Sequence, residues 1–329
     1  MAHDIRRRDI QVGVEKAWHE LTVVVPEITA DNCGIIWPMS KQRLFLESKI
    51  PTDYFICVSD DDGLPIGSPV TKRYTVIPND KIWLAVTTAL KGTEHRIVSV
   101  GTCSDRQRGW ISVKLDDGFV AANRKTQSVL NVLWGHGGVM NFIAKSGFTI
   151  VVCRNTYTMA LQERGDFTLR QKHVGDADLR LLNMKDAIEA HAATVTFFME
   201  SMNSFHKRQV SHSEAREFFA GFVVEDFDPQ KSKVSTRSQN MYRRLYQLFY
   251  SGAGNNGENG ADLFNATTDY YSHEYAGGRK DAQRQFESSE FGGGQDRKQA
   301  VFELLSGNKV TGLGDYNDCV KRGTLVLSA

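Results

Sequence analysis

Between residues 96 and 153 the apolar residues fall either at every second position or in short continuous runs, and this stretch constrains the fold more than any other. Residues 109–115 set Trp110, Ser112 and Lys114 against Ile111, Val113 and Leu115. A period of two places successive side chains on opposite faces of a strand. Residues 96–103 carry Ile97, Val98 and Val100, and residues 128–134 carry Val129, Leu130, Val132 and Leu133. Residues 148–153 are apolar without alternation, as in a strand buried on both faces. Asp116-Asp117-Gly118 is a turn signal that places a hairpin between residues 109–115 and Phe119-Val120. Asn155-Thr156 then predicts a helix cap, with helix as far as Leu161. The economical fold is an antiparallel β-meander running into helix.

The flanks are different. Residues 1–50 predict an N-terminal arm with one helix near 39–48. Asp60-Asp61-Asp62-Gly63 is a turn, and Pro65, Gly67 and Pro69 break regular structure after it. That turn lacks the terminal glutamate of a calcium loop. Tyr74 to Ile77 is a short extended run, followed by a helix over 80–90 with Ile82, Trp83, Val86 and Leu90 at helical spacing. From Asp176, Leu179, Leu182, Met184, Ile188, Ala192, Val195, Phe198 and Met199 recur every three or four residues. Ser211 with Glu214 has the spacing of a capping box, and residues 238–250 form a third helix. Glycines crowd residues 252–260, which read as a loop or linker. Further helices are expected at 261–275 and 296–305. The chain is thus α+β, an antiparallel β-meander core flanked by helices with a mostly helical C-terminal half. It divides into an arm (1–69), a sheet core (70–165), a helical region (166–251) and a glycine-linked helical region (252–329).

Composition narrows the class without naming a partner. The chain has 329 residues, 41% hydrophobic and 24% charged, with a formal net charge of +1. That is globular, and any polyanion surface must come from local clustering. Cys33, Cys57, Cys103, Cys153 and Cys319 are widely spaced with no CxxC pair, which reads as buried reduced thiols. The N-terminus has no apolar signal region, and no apolar run nears the roughly 20 residues that span a bilayer. A cytoplasmic protein with no membrane partner is expected.

Four segments, in order, resemble one family: Met1-Ala2-His3-Asp4-Ile5 with Trp18-His19; Tyr74-Thr75-Val76-Ile77-Pro78-Asn79; Val151-Val152-Cys153-Arg154-Asn155-Thr156; and Asn265-Ala266-Thr267-Thr268-Asp269-Tyr270-Tyr271-Ser272-His273. The chain resembles the phage/plasmid-like family catalogued as domain of unknown function 932. It departs from the family pattern at Thr149, Ile150 and Arg154, and at Ala261 to Phe264. The resemblance implies a mobile-element context and brings no catalytic residues. The meander and hairpin are also distantly similar to the core of single-strand annealing proteins, which hold single-stranded DNA in a basic groove as rings.

Two clusters could carry such a function. Arg106, Arg108, Trp110, Lys114, Arg124 and Lys125 combine cations that neutralise phosphates with an aromatic that stacks on a base. Arg243 and Arg244 form a second surface, with Tyr242 and Tyr246 nearby and Lys231 and Lys233 before them. The alternative for each is a solvated face beside a packed core. No HExxH, GxSxG or two-metal acidic pair occurs, so no catalytic residue, cofactor or metal is expected. The expected function is single-stranded DNA binding, with annealing as a homo-oligomer. The alternatives are a non-enzymatic interaction module of a mobile element that acts on a host or phage protein, and an enzyme using His136, or His273 paired with Asp269.

Overall fold

The computed structural model describes residues 8–14, 23–115, 118–150, 155–160, 170–171, 173, 184–230, 233–275, 288–289 and 292–329. Met1 to Ile5, Trp18-His19, Asp116-Asp117, Val151 to Arg154 with Cys153, Lys231 and residues 176–183 lie outside these. The chain forms two compact units, each assembled from separated segments. One takes residues 1–117, 128–147 and 159–195; the other takes 118–127, 148–158 and 196–329.

The first unit is built on a sheet. Strands β1 (Gln11–Gly13), β2 (Val23–Val24), β6 (Arg96–Cys103), β7 (Arg108–Lys114), β9 (Arg124–Gly135) and β10 (Phe142–Ile150) lie in the order β10-β9-β7-β6-β1-β2. β6, β7 and β9 are antiparallel neighbours, with Ile97 opposite Val113 and Ile111 opposite Val132. The alternating pattern therefore buries Ile111, Val113, Leu130 and Val132 together. Helix α1 (Asn79–Leu90) closes this core with Ile82, Trp83 and Val86. The first residues of α2 (Met184–Lys207) add Met184 and Ala187. Trp110 faces the other way and fills the space left by the missing side chain of Gly101. Between β6 and β7, Ser104, Asp105 and Arg106 all take left-handed backbone angles, with φ of 57°, 62° and 64°. The Asp9 carboxylate holds this strained turn, accepting from Asp105 N at 3.0 Å and Arg106 N at 2.7 Å.

A second sheet in this unit corrects two expectations. Residues 39–48 are not helical: β3 (Met39–Phe45), β4 (Pro51–Ser59) and β5 (Pro65–Thr71) form a three-stranded sheet in that order. Pairing of β3 along β4 overrides the helix-forming Lys41, Gln42 and Arg43. Pro65, Gly67 and Pro69 sit inside a strand, which is tolerated because β5 is an edge. The run from Tyr74 to Ile77 forms no strand, although both end residues are buried.

The hairpin also moves. β8 (Phe119–Ala121) pairs with β9, with Phe119 opposite Thr126 and Ala121 opposite Arg124. Among the described residues, then, β8 does not fold back on β7; both run along β9. The tight turn is Ala122-Asn123, whose φ values of 50° and 59° are those of a type I′ turn. Asn155-Thr156 begins strand β11 (Asn155–Ala160), not a helix, as its Thr-Tyr-Thr content favours. A two-residue strand, β12 (Arg170–Gln171), pairs with the start of β10.

The second unit is helical: the C-terminal part of α2, α3 (His212–Val223), α4 (Thr236–Ser251), α5 (Gly260–Asp269) continuing as a π-helical segment Tyr270–Glu274, α6 (Gly293–Leu305) and α7 (Tyr316–Ser328). Its core is aromatic, with Phe198, Phe264 and Phe302 mutually 5.7 to 6.4 Å apart between ring centroids. Ser211 caps α3 by accepting from Glu214 N at 3.2 Å. Glu214 does not complete the capping box; its carboxylate accepts from Tyr316 Oη on α7. Helix α7 has no counterpart among the expected elements. It crosses α3 so closely that a Cβ on Gly221 would strike the Cys319 carbonyl and one on Gly323 the Glu217 carbonyl. The protein is thus α+β, with antiparallel-rich sheets and a mostly helical C-terminal half.

Candidate nucleic-acid interface

The eight candidate residues are divided between the two units. Arg106, Arg108, Trp110 and Lys114 belong to the first unit, and Arg124, Lys125, Arg243 and Arg244 to the second. Several are engaged inside the protein. The Arg106 guanidinium lies 4.6 Å from the Trp37 ring centroid and pairs with Asp61 at 2.9 Å. The Ser59 hydroxyl and that pairing hold the Asp61 carboxyl below its ordinary range, against a desolvation that acts the other way. Trp110 is buried and donates from Nε1 to Ser99 Oγ at 3.2 Å, so its ring is closed to a base. Arg108 and Lys114 are half-buried strand residues with partners of their own.

Arg124 is buried beside its exposed neighbour Lys125. Its guanidinium pairs with the buried Asp262 and donates to Gly254 O at 2.8 Å and Asn255 Oδ1 at 3.3 Å. The glycine-rich segment 252–260 is therefore no loose linker. Asn255 is gripped by Asn265 Nδ2 at 2.6 Å, and Asn259 caps α5. Arg244 makes a two-pronged pair with Glu274 at 2.6 to 3.0 Å, which raises its own affinity for the proton. These four, Arg106, Trp110, Arg124 and Arg244, are spent on the fold and are withdrawn from the candidate surface.

Arg243 is different. It is exposed on the face of α4 that lines a groove of about 700 Å³. Arg216 of α3, Lys233 just before α4, and Gln239, Tyr242 and Tyr246 of α4 complete its polar wall. Val326 and Leu327 of α7 supply an apolar wall. Among the described residues no aspartate or glutamate lines it. Arg216, Lys233 and Arg243 are exposed and form no ion pair with any described residue. Helical spacing places Tyr242, Arg243 and Tyr246 toward one side of α4. Arg216 escaped notice because it lies far from this cluster in sequence, between the acidic Glu214 and Glu217.

The two histidine candidates are not groove residues. His136 is fully buried, and burial together with the nearby His173 lowers its pKa to about 3, leaving a neutral ring without access to solvent. Asp269, partner of the proposed His273 pair, is pushed up to about 6 by burial and then by the Glu274 carboxylate. Among the described residues no helix is long and apolar enough to cross a membrane. Cys33, Cys57, Cys103 and Cys319 are buried, as expected.

Comparison with curated proteins and with solved structures returned no match. One family model does match, over residues 67–297, more than two thirds of the chain. That span contains the Tyr74 to Asn79, Val151 to Thr156 and Asn265 to His273 segments. The chain therefore belongs to the family described as domain of unknown function (DUF932).

Proposed function

We propose that this protein binds single-stranded DNA in the groove between α3, α4 and α7. The observation that carries the reading is a set of three exposed cations, Arg216, Lys233 and Arg243, which among the described residues have no ion-pair partner and share a groove with no acidic side chain. Unpaired cations release condensed counterions when they meet phosphates, the main source of affinity for a polyanion. The Tyr246 ring supplies a face on which a base stacks whatever its identity. Lys125, exposed on the β9 hairpin, adds a further cation to the same unit. Self-association and strand annealing extend the proposal and rest on the likeness to annealing proteins. The test is photocross-linking with an oligo(dT) carrying 5-iodouracil. The expected cross-link falls on the Tyr242–Tyr246 peptide and disappears in Tyr246→Leu. Cross-links confined to other peptides contradict the groove, and none at all contradicts DNA binding.

A second reading, an interaction module, draws support from the β3–β4 hairpin tip. There Phe45, Leu46 and Ile50 are 60%, 57% and 57% exposed. Such apolar tips mark contact sites for other proteins. Replacing Phe45 and Ile50 by Ser should abolish capture of a partner from nuclease-treated lysate; equal capture removes this reading.

A further inference from the structure

The glycine-rich segment 252–260 holds the two Asn-Gly pairs of the chain, Asn256-Gly257 and Asn259-Gly260. In such a pair the side-chain amide carbon lies within reach of the next backbone nitrogen. Glycine, with no side chain, leaves that nitrogen the least hindered of any residue. In sequence the two pairs therefore offer the same chemistry, and the fold separates them.

Asn259 is 4% exposed. Its Oδ1 caps α5 by accepting from Asp262 N at 3.1 Å, and Gly260 N donates to Arg208 O at 3.0 Å. The amide is thus held in place and the nitrogen beside it is occupied. Asn256 is exposed, and among the described residues neither its side chain nor Gly257 N has a hydrogen-bond partner. The residues on either side are fixed. Asn255 Nδ2 donates to Leu248 O at 2.8 Å, and its Oδ1 accepts from Asn265 Nδ2 and from Arg124. Glu258 N donates to Asp262 Oδ2 at 3.0 Å, and Glu258 O accepts from Val210 N at 2.9 Å. Gly257 joins these anchors with a φ of 76°, and a Cβ there would strike Tyr250. The pair is therefore kept as glycine by the backbone and left unbonded at both reacting groups.

We propose that Asn256 is a site of self-modification, at which the folded chain deamidates through a succinimide to aspartate and isoaspartate while Asn259 keeps its amide. Gly257 N gives its proton to hydroxide and attacks Asn256 Cγ. The new N–Cγ bond forms, the Cγ–Nδ2 bond breaks, and Nδ2 takes a proton from water and leaves as ammonia. Water then opens the ring at either carbonyl, with no change of oxidation state. Opening at one gives aspartate; opening at the other carries the main chain through Cγ and lengthens it by one carbon between the anchors at Asn255 and Glu258. Either product adds a carboxylate to the second unit.

The test incubates the full chain in H₂¹⁸O at mildly alkaline pH, folded in one arm and unfolded in guanidinium in the other. Both arms run until the unfolded chain has converted at both asparagines, and peptides are then mapped by mass spectrometry. The folded protein should lose the amide at Asn256, with one ¹⁸O gained and both acid isomers present, and should retain the amide at Asn259. An intact Asn256 in the folded protein overturns the proposal, as does loss of the Asn259 amide at the same pace. So does conversion at Asn256 to aspartate alone, which would mean direct hydrolysis without the ring.

Discussion

Arg124 and Lys125 are neighbours in the chain, yet one is buried with Asp262 and the other is exposed. In sequence the two look alike as phosphate ligands. What separates them is a carboxylate 138 positions away, which no local pattern reveals. The same holds for Arg106 with Asp61 and for Arg244 with Glu274. Removing one partner of a buried pair strands the other charge, at a cost of about 3–5 kcal/mol. Arg124→Met should therefore lower stability by about that amount in urea unfolding. Lys125→Met should leave it within about 0.5 kcal/mol, as for other surface substitutions. Asp269 gives a pH test. Its folded pKa, about 6, lies above the ordinary 3.8, so the folded state holds the proton more tightly. Its contribution is present below pH 4 and is lost as pH rises through about 6. Asp269→Asn should remove that decline, so the variant gains stability relative to wild type between pH 4 and 7. Parallel stability profiles for the two proteins would show that Asp269 is not desolvated as described.

At the scale of elements, β6, β7, β9 and α1 were legible because a period of two or of 3.6 survives wherever one face is buried. β3 to β5 were not, because polar and apolar residues there follow neither period and most of β3 is only half-buried. The Asp116-Asp117-Gly118 signal is a strong turn former, but the turn that closes the β8–β9 hairpin uses Ala122-Asn123. Helix α7 stayed hidden because its Gly323, a poor helix former, sits there for contact with α3. A methyl at that position, or at Gly221, meets backbone and cannot be accommodated by a rotamer change. Gly323→Ala should thus destabilise the protein by about 1–3 kcal/mol, as overpacking does, although alanine is the better helix former. A midpoint in thermal unfolding equal to or above wild type would mean that the α3–α7 contact is looser than described.

For the molecule as a whole, each unit gathers segments from distant parts of the chain. The helical C-terminal half was legible from its spacing. The groove was not, because its walls come from α3, α4 and α7, and the spacing of apolar residues does not reveal the last of these. Of the eight candidate residues, Arg243 alone lines it. The claim that this groove is a polyanion site is tested most directly by fluorescence anisotropy of a labelled oligo(dT) across a series of salt concentrations. The wild type should bind with log K falling linearly in log salt. Each phosphate neutralised by a cation adds about 0.7 to the steepness for a single strand, so replacing Arg216, Lys233 and Arg243 together by Ala should flatten the slope by about 2. Salt-insensitive binding, an unchanged slope in the triple variant, or no binding at micromolar protein would contradict the account.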